Sequence, residues 1–179
     1  MKIFLIILLV IAAIVVVLLV VALFAKKDYA VEREIALLKP KAEVFNYIKY
    51  LKNQDKYSKW ATMDPDMKQS FKGIDGTVGF VSAWDSNQKD VGKGEQEIKK
   101  IIEGERIDYE IRFIKPFVAV ASAYMNTESI SDGQTRVKWG FKSRMKFPMN
   151  LMLIFMSMEE MIGKDFSTGL ANLKGVLEK

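Results

Sequence analysis

Twenty-three consecutive residues, Ile3 to Ala25, carry neither a charge nor a polar side chain, and such a stretch has few places to go. As a helix rising about 1.5 Å per residue it reaches about 34 Å, enough to cross a hydrocarbon core about 30 Å thick with some tilt. A cleaved secretory signal is the alternative. The apolar core of a signal is ordinarily about 7 to 15 residues long, and Leu23-Phe24-Ala25 matches a small-x-small cleavage site poorly. The run therefore reads as a single-pass membrane anchor. Residues 1–27 form the anchor and its flank, and residues 28–179 form one soluble domain of ordinary size.

Almost all of the charge lies beyond the run: 26 of the 27 Lys and Arg and all 22 Asp and Glu. The small positive excess is spread among acidic residues, which argues against a nucleic-acid surface. Lys26 and Lys27 suit anionic lipid headgroups, although two lysines commonly flank any span. With Arg33, Lys39 and Lys41 they outweigh Lys2 and the terminal amine on the other side, a bias that slightly favours a cytoplasmic domain over an outward-facing one.

The chain has no His and no Cys. That rules out Ser-His-Asp and Cys-His pairs, zinc fingers, iron–sulfur sites and haem ligation through either residue. No EF-hand-like acidic loop occurs, and neither a metal nor a cofactor is expected. The stretch Gly73-Ile74-Asp75-Gly76-Thr77-Val78-Gly79 lacks the Gly-Lys-Ser/Thr ending of a phosphate loop and leads into strand-like alternation.

Period and punctuation give the element order. Val31, Arg33, Ile35 and Leu37 alternate with Ala30, Glu32, Glu34 and Ala36 as in a half-buried strand. Pro40 ends it, and Val44, Ile48 and Leu51, with Phe45 beside them, mark an amphipathic helix running into Asn53. A short helix or turn leads to Trp60. Six strands are then predicted over 67–73, 78–84, 92–102, 106–113, 118–130 and 135–144. Asp75-Gly76 and Asp132-Gly133 suit tight hairpins in which glycine takes positive φ, so the sheet is mainly antiparallel. A closing helix presents Met158, Met161, Ile162, Phe166, Leu170, Leu173 and Leu177 as an apolar stripe. Ser157 and Glu160 fit a capping box at its start, with a beginning nearer Asn150 as the alternative.

Strand, two helices, six strands and a long helix is the order of the helix-grip fold. The chain resembles the polyketide cyclase/dehydrase and lipid transport (SRPBCC, START-like) superfamily over nearly all of 29–179. The matching stretches are Lys39-Pro40-Lys41-Ala42-Glu43-Val44-Phe45, Trp60, Val78-Gly79 through Trp84, and Gly92-Lys93-Gly94 through Ile98. Arg106-Ile107-Asp108-Tyr109, Phe113-Ile114-Lys115-Pro116-Phe117, Val137-Lys138-Trp139-Gly140 and Gly169-Leu170-Ala171-Asn172-Leu173-Lys174 complete them. The resemblance implies an α+β domain whose curved antiparallel sheet wraps a long C-terminal helix around an apolar cavity. It also implies that Trp60 lies at the cavity's lip.

Projected onto the covered face, the strands present Arg33, Phe80, Ser82, Trp84, Gln96, Ile98, Tyr109, Ile111, Phe113, Val137, Trp139 and Phe141. Aromatics with a few polar groups suit a pocket that excludes water and fixes a ligand by a small number of hydrogen bonds, and large aromatics there equally suit plain core. The candidate ligand contacts are Arg33, Trp60, Phe80, Ser82, Trp84, Gln96, Tyr109, Phe113 and Trp139; no catalytic residue is assigned. An inward arginine requires a partner, and a structural ion pair, a snorkelling strand end and a ligand contact compete for Arg33. Glu95 and Glu97 alternate onto the solvent face. Met145, Met149, Met152, Met156, Met158 and Met161, with Phe147, Leu151, Leu153, Ile154 and Phe155, read as helix–sheet core, as a pocket mouth, or as a surface dipping into the membrane. The expected function is binding or transfer of a hydrophobic small molecule at a membrane. A cyclase or dehydratase, with Tyr109 or Arg33 polarising a carbonyl, and an interaction domain with a filled cavity are the alternatives.

Overall fold

The computed structural model describes residues 2–179, and a seven-stranded antiparallel sheet dominates it. Helix α1 (Lys2–Phe24) is long and apolar enough to cross a membrane. Strand β1 (Asp28–Leu37) follows at once. Pro40 then supplies the carbonyl that receives the Glu43 and Val44 amides, opening α2 (Lys41–Ile48), which buries Val44, Phe45 and Ile48. A 3-10 turn over Leu51–Lys56 and helix α3 (Lys59–Met63) complete the crossover.

The remaining strands are β2 (Lys68–Lys72), β3 (Val81–Asp85), β4 (Lys93–Ile102), β5 (Arg106–Lys115), β6 (Ala119–Ser131) and β7 (Gln134–Arg144). Their spatial order is β1-β7-β6-β5-β4-β3-β2, every pair antiparallel. One row crosses all seven: Tyr29, Ser143, Ala121, Ile111, Gln96, Ser82 and Phe71. A 3-10 turn over Met149–Leu151 and the short helix α4 (Met152–Phe155) precede helix α5 (Met158–Leu177).

Three details depart from the sequence reading. Residues 78–80 belong to the β2–β3 turn, because Asp75 pulls that turn back onto the crossover: its carboxylate accepts the Leu51 and Lys52 amides at 2.8 and 3.2 Å. Gly76 takes the expected positive φ (78°), whereas Gly133 does not; a register irregularity between Ser129 and Ser131 absorbs that turn instead. On α5 the buried stripe runs through Gly163, Phe166, Gly169, Leu170, Leu173 and Leu177, leaving Met161 half exposed. The helix comes close to the sheet at both glycines: the Arg33 guanidinium lies against Gly163, and a Cβ on Gly169 would stand 2.9 Å from the Trp139 ring. The α5 start is as anticipated, with the Ser157 hydroxyl accepting the Glu160 amide at 3.2 Å.

Candidate functional site

The inner face of the sheet has a closed half and a half-open one. α5 packs chiefly along β1 and closes the first. There Trp139 stacks on Phe166 with ring centres 4.6 Å apart, Trp60 from α3 meets both edge-on, and Tyr57 meets Trp139 edge-on at 5.8 Å. Tyr57 is fully buried and donates its hydroxyl to the Met125 sulfur at 3.4 Å.

Arg33 sits at the margin of this half. Its guanidinium donates to the Glu32 and Glu159 carbonyls at 2.7 and 3.1 Å and faces the Glu159 carboxylate at 3.4 Å. Those partners satisfy it within the seam between β1 and the start of α5, as a structural ion pair requires.

The other half lies on β3, β4 and β5. Ser82, Trp84, Gln96, Ile111 and Phe113 are all half-buried there. Register places Ser82 beside Gln96 and Gln96 beside Ile111, while Trp84 lies over Gly94 and meets Phe113 edge-on at 6.3 Å. The indole nitrogen of Trp84 donates to the Val91 carbonyl at 3.2 Å, which holds the ring across that end of the strands. β6 supplies Ala119, Ala121 and Ala123 to the same face in register with Phe113, Ile111 and Tyr109. Small side chains thus stand beside large ones, and sequence alone does not single out these alanines because they carry no chemistry of their own.

At the inner end of the strip, Phe80 and Ile98 are buried and Tyr109 is 2% exposed. Phe80 stacks under Phe71, with centroids 6.1 Å apart. The Tyr109 hydroxyl has no hydrogen-bond partner; neither does the Tyr47 hydroxyl nor the side-chain nitrogen of Gln54, all of them buried. Tyr47 packs against Tyr57 at 6.4 Å, and the Gln54 amide stands close to Tyr57 and Tyr109 without a well-formed hydrogen bond to either phenol. Burial, reinforced by the negative charges of Asp75 and Asp108, pushes the Tyr109 hydroxyl far above its ordinary pKa. It is therefore a fixed neutral donor. Sequence alternation pointed inward at Tyr109 but gave no sign of Tyr47 and Gln54, which lie on α2 and the irregular turn after it.

Glu95 and Glu97 lie on the outer face, where Arg112 donates to them at 2.6 and 2.8 Å and also contacts Glu110. The Arg112 bond holds the Glu97 carboxyl below its usual value. One hollow of about 460 Å³ adjoins this ion cluster, and a second of the same volume lies between the end of α1 and Leu153 and Ile154. Among the described residues no group of three or more acidic side chains is placed to hold a metal ion.

No protein-family model matches the chain, and no curated protein does. Solved structures do. A Chromobacterium violaceum protein superposes with a TM-score of 0.59 at 15% identity, covering 84% of this chain and 97% of its own. The Ara h 8.0201 structure gives 0.56 at 15%, covering 83% and 97%. Norcoclaurine synthase from Thalictrum flavum, in complex with dopamine and hydroxybenzaldehyde, gives 0.61 at 8%, covering 88% and 91%. Identities so low speak to architecture alone, and with the seven-stranded antiparallel sheet and long closing helix they establish that this chain has the helix-grip fold.

Proposed function

We propose that this protein is a membrane-anchored member of the START-like (SRPBCC) lineage, whose domain over 28–179 folds on its own and binds a hydrophobic small molecule bearing one polar group. The binding surface is the strip from Trp84 and Phe113, past Ser82, Gln96 and Ile111, to Tyr109. α1 is the anchor, and the lysine and arginine bias favours the cytoplasmic side.

One observation carries the reading: an otherwise apolar interior ends in the unpaired hydroxyls of Tyr47 and Tyr109 and the unpaired Gln54 nitrogen. A buried donor without a partner costs about 1 to 3 kcal/mol, so such a cluster favours an arriving carbonyl or hydroxyl, or an ordered water that one displaces. Apolar walls with a few convergent polar groups are the ordinary make-up of a small-molecule site. The fold is compatible with this, since the Thalictrum enzyme is seen in complex with two small aromatic molecules.

Binding suits these residues better than catalysis. Tyr109 is held protonated and can polarise a carbonyl, but His is absent from the chain and no carboxylate hydrogen-bonds the phenol to serve as its base. Carriage or sensing of a ligand needs neither. Native mass spectrometry of the full chain released from detergent tests the reading: a co-purifying apolar molecule is expected on wild type and should be depleted in Tyr109→Phe. Wild-type protein that carries nothing, and that binds no fluorescent fatty acid after delipidation, would overturn it.

A further inference from the structure

Outside α1 the exposed apolar side chains include Leu38 and, on the β2–β3 turn, Ile74 and Val78, and two further clusters lie close to the end of α1. One is the β5–β6 turn, where Phe117 is 63% and Val118 80% exposed with Ile114 beside them. The other is the segment before α5, where Phe155 is 74% exposed and Phe147 and Ile154 are also open.

Both clusters lie at the end of the sheet from which α1 departs. The row that crosses the sheet contains Tyr29 of β1 and Ile111 of β5. β5 continues four residues past it to Lys115, about 13 Å at about 3.3 Å per residue, and β1 runs back past it toward Ala25. The turn and the end of α1 thus project beyond the same edge. Trp84 and Phe113 stand on that side of the row too.

Depth is set by Asn150. This fully buried side chain donates 2.7 Å to the carbonyl of Ala22 and 3.3 Å to that of Ala25. Ala22 lies inside the apolar run and is itself covered, while Leu153 and Ile154 face Val20, Val21 and Phe24 across a shared hollow. The last carbonyls of a helix have no partner within the helix, and in hydrocarbon no water reaches them. Asn150 supplies that donor, which draws the segment around it down to the level of the last turn of α1. Lys26, Lys115 and Lys146 are exposed around the same end and match the charge of anionic headgroups.

We propose that the β5–β6 turn and the segment 147–155 are bedded together in the bilayer leaflet from which α1 emerges, so that the Trp84–Phe113 end of the binding strip opens onto lipid rather than water. The site would then exchange its occupant with the leaflet directly. This rests on α1 crossing a bilayer, and its test separates the two.

The chain contains no cysteine, so single cysteines carrying an environment-sensitive nitrobenzoxadiazole label can be placed in the full protein. The protein is reconstituted into mixed phosphatidylcholine–phosphatidylglycerol vesicles, with and without acyl-brominated lipid. Val118→Cys and Phe155→Cys should be blue-shifted and quenched severalfold more by bromine than Ile74→Cys, which marks the exposed β2–β3 turn at the far end of the sheet. Label at position 118 or 155 that is quenched no more than at 74, while Ile14→Cys in mid-span is strongly quenched, overturns the bedded surface and leaves the anchor standing. Failure of quenching at position 14 removes the anchor and this proposal with it; fatty-acid binding by the domain is a separate readout.

Discussion

The two halves of the inner sheet face are built from similar residues and behave differently. Under α5, Trp139, Phe166, Trp60 and Tyr57 contact one another ring to ring, and Gly169 lets the helix come close enough to seal them. On β3 to β5, Trp84 and Phe113 touch each other but stay half-buried, with alanines and a glycine beside them. An aromatic on the inner face of a sheet is thus core or site according to what covers it, and the path of one helix along β1 decides which.

Several substitutions can break that contrast. The largest effect is expected in the closed half, where Leu173→Asp puts a carboxylate into the fully buried helix–sheet seam at a cost of about 4 kcal/mol or more. The proper control is Ala171→Asp on the exposed face; Lys174, adjacent in sequence, is no neutral control, because its ammonium donates to the Ala36 carbonyl at 3.1 Å. Thermal unfolding of both variants checks this, and equal midpoints would mean that the helix is turned the other way.

Next comes the pair that contrasts the halves directly. Trp139→Ala should lose about 3 to 5 kcal/mol of stability in denaturant titration, as large core truncations do, while Trp84→Ala should lose about 1 to 2. Comparable losses would erase the distinction between the closed half and the open one.

A smaller effect concerns pH. Burial raises the folded-state pKa values of Tyr57 and Tyr109 well above the ordinary phenol value. Their stabilising contribution is whole below about pH 10, where the unfolded phenols are also protonated, and is lost as pH rises from there toward the folded values. Wild-type stability should accordingly fall more steeply above pH 10 than that of Tyr109→Phe, with little difference between the two slopes from pH 6 to 9. Smallest of all is Glu159→Gln: the pair with Arg33 is 69% exposed on the carboxylate side, and its loss should cost less than about 1 kcal/mol.

Much of this architecture was legible because alternation in β5 and β7 is nearly strict and α5 has a continuous apolar stripe. Ser82, Trp84, Gln96 and Phe113 fall on one face for that reason. The division of that face was not legible: periodicity tells which side a residue takes but not where a helix crosses it. Gly163 and Gly169 look like weak points of the α5 stripe, and Gly169 becomes intelligible only as room beside the Trp139 ring. Tyr47 and Gln54 escaped notice because their placement around Tyr57 depends on how an eight-residue helix and a 3-10 turn dock, information that local pattern lacks.

The central claim, that the half-open strip is a binding surface rather than loosely packed core, is tested most directly by titrating the delipidated full chain with an environment-sensitive fluorescent fatty acid. Wild type should bind at one site, and Trp84→Ala should bind about tenfold to a hundredfold more weakly, the loss of about 1 to 3 kcal/mol of apolar contact, while keeping a cooperative unfolding transition no more than about 1 to 2 kcal/mol below that of wild type. A folded, delipidated wild-type chain that binds no probe, with Trp84→Ala merely less stable, would contradict the account and make the strip ordinary core.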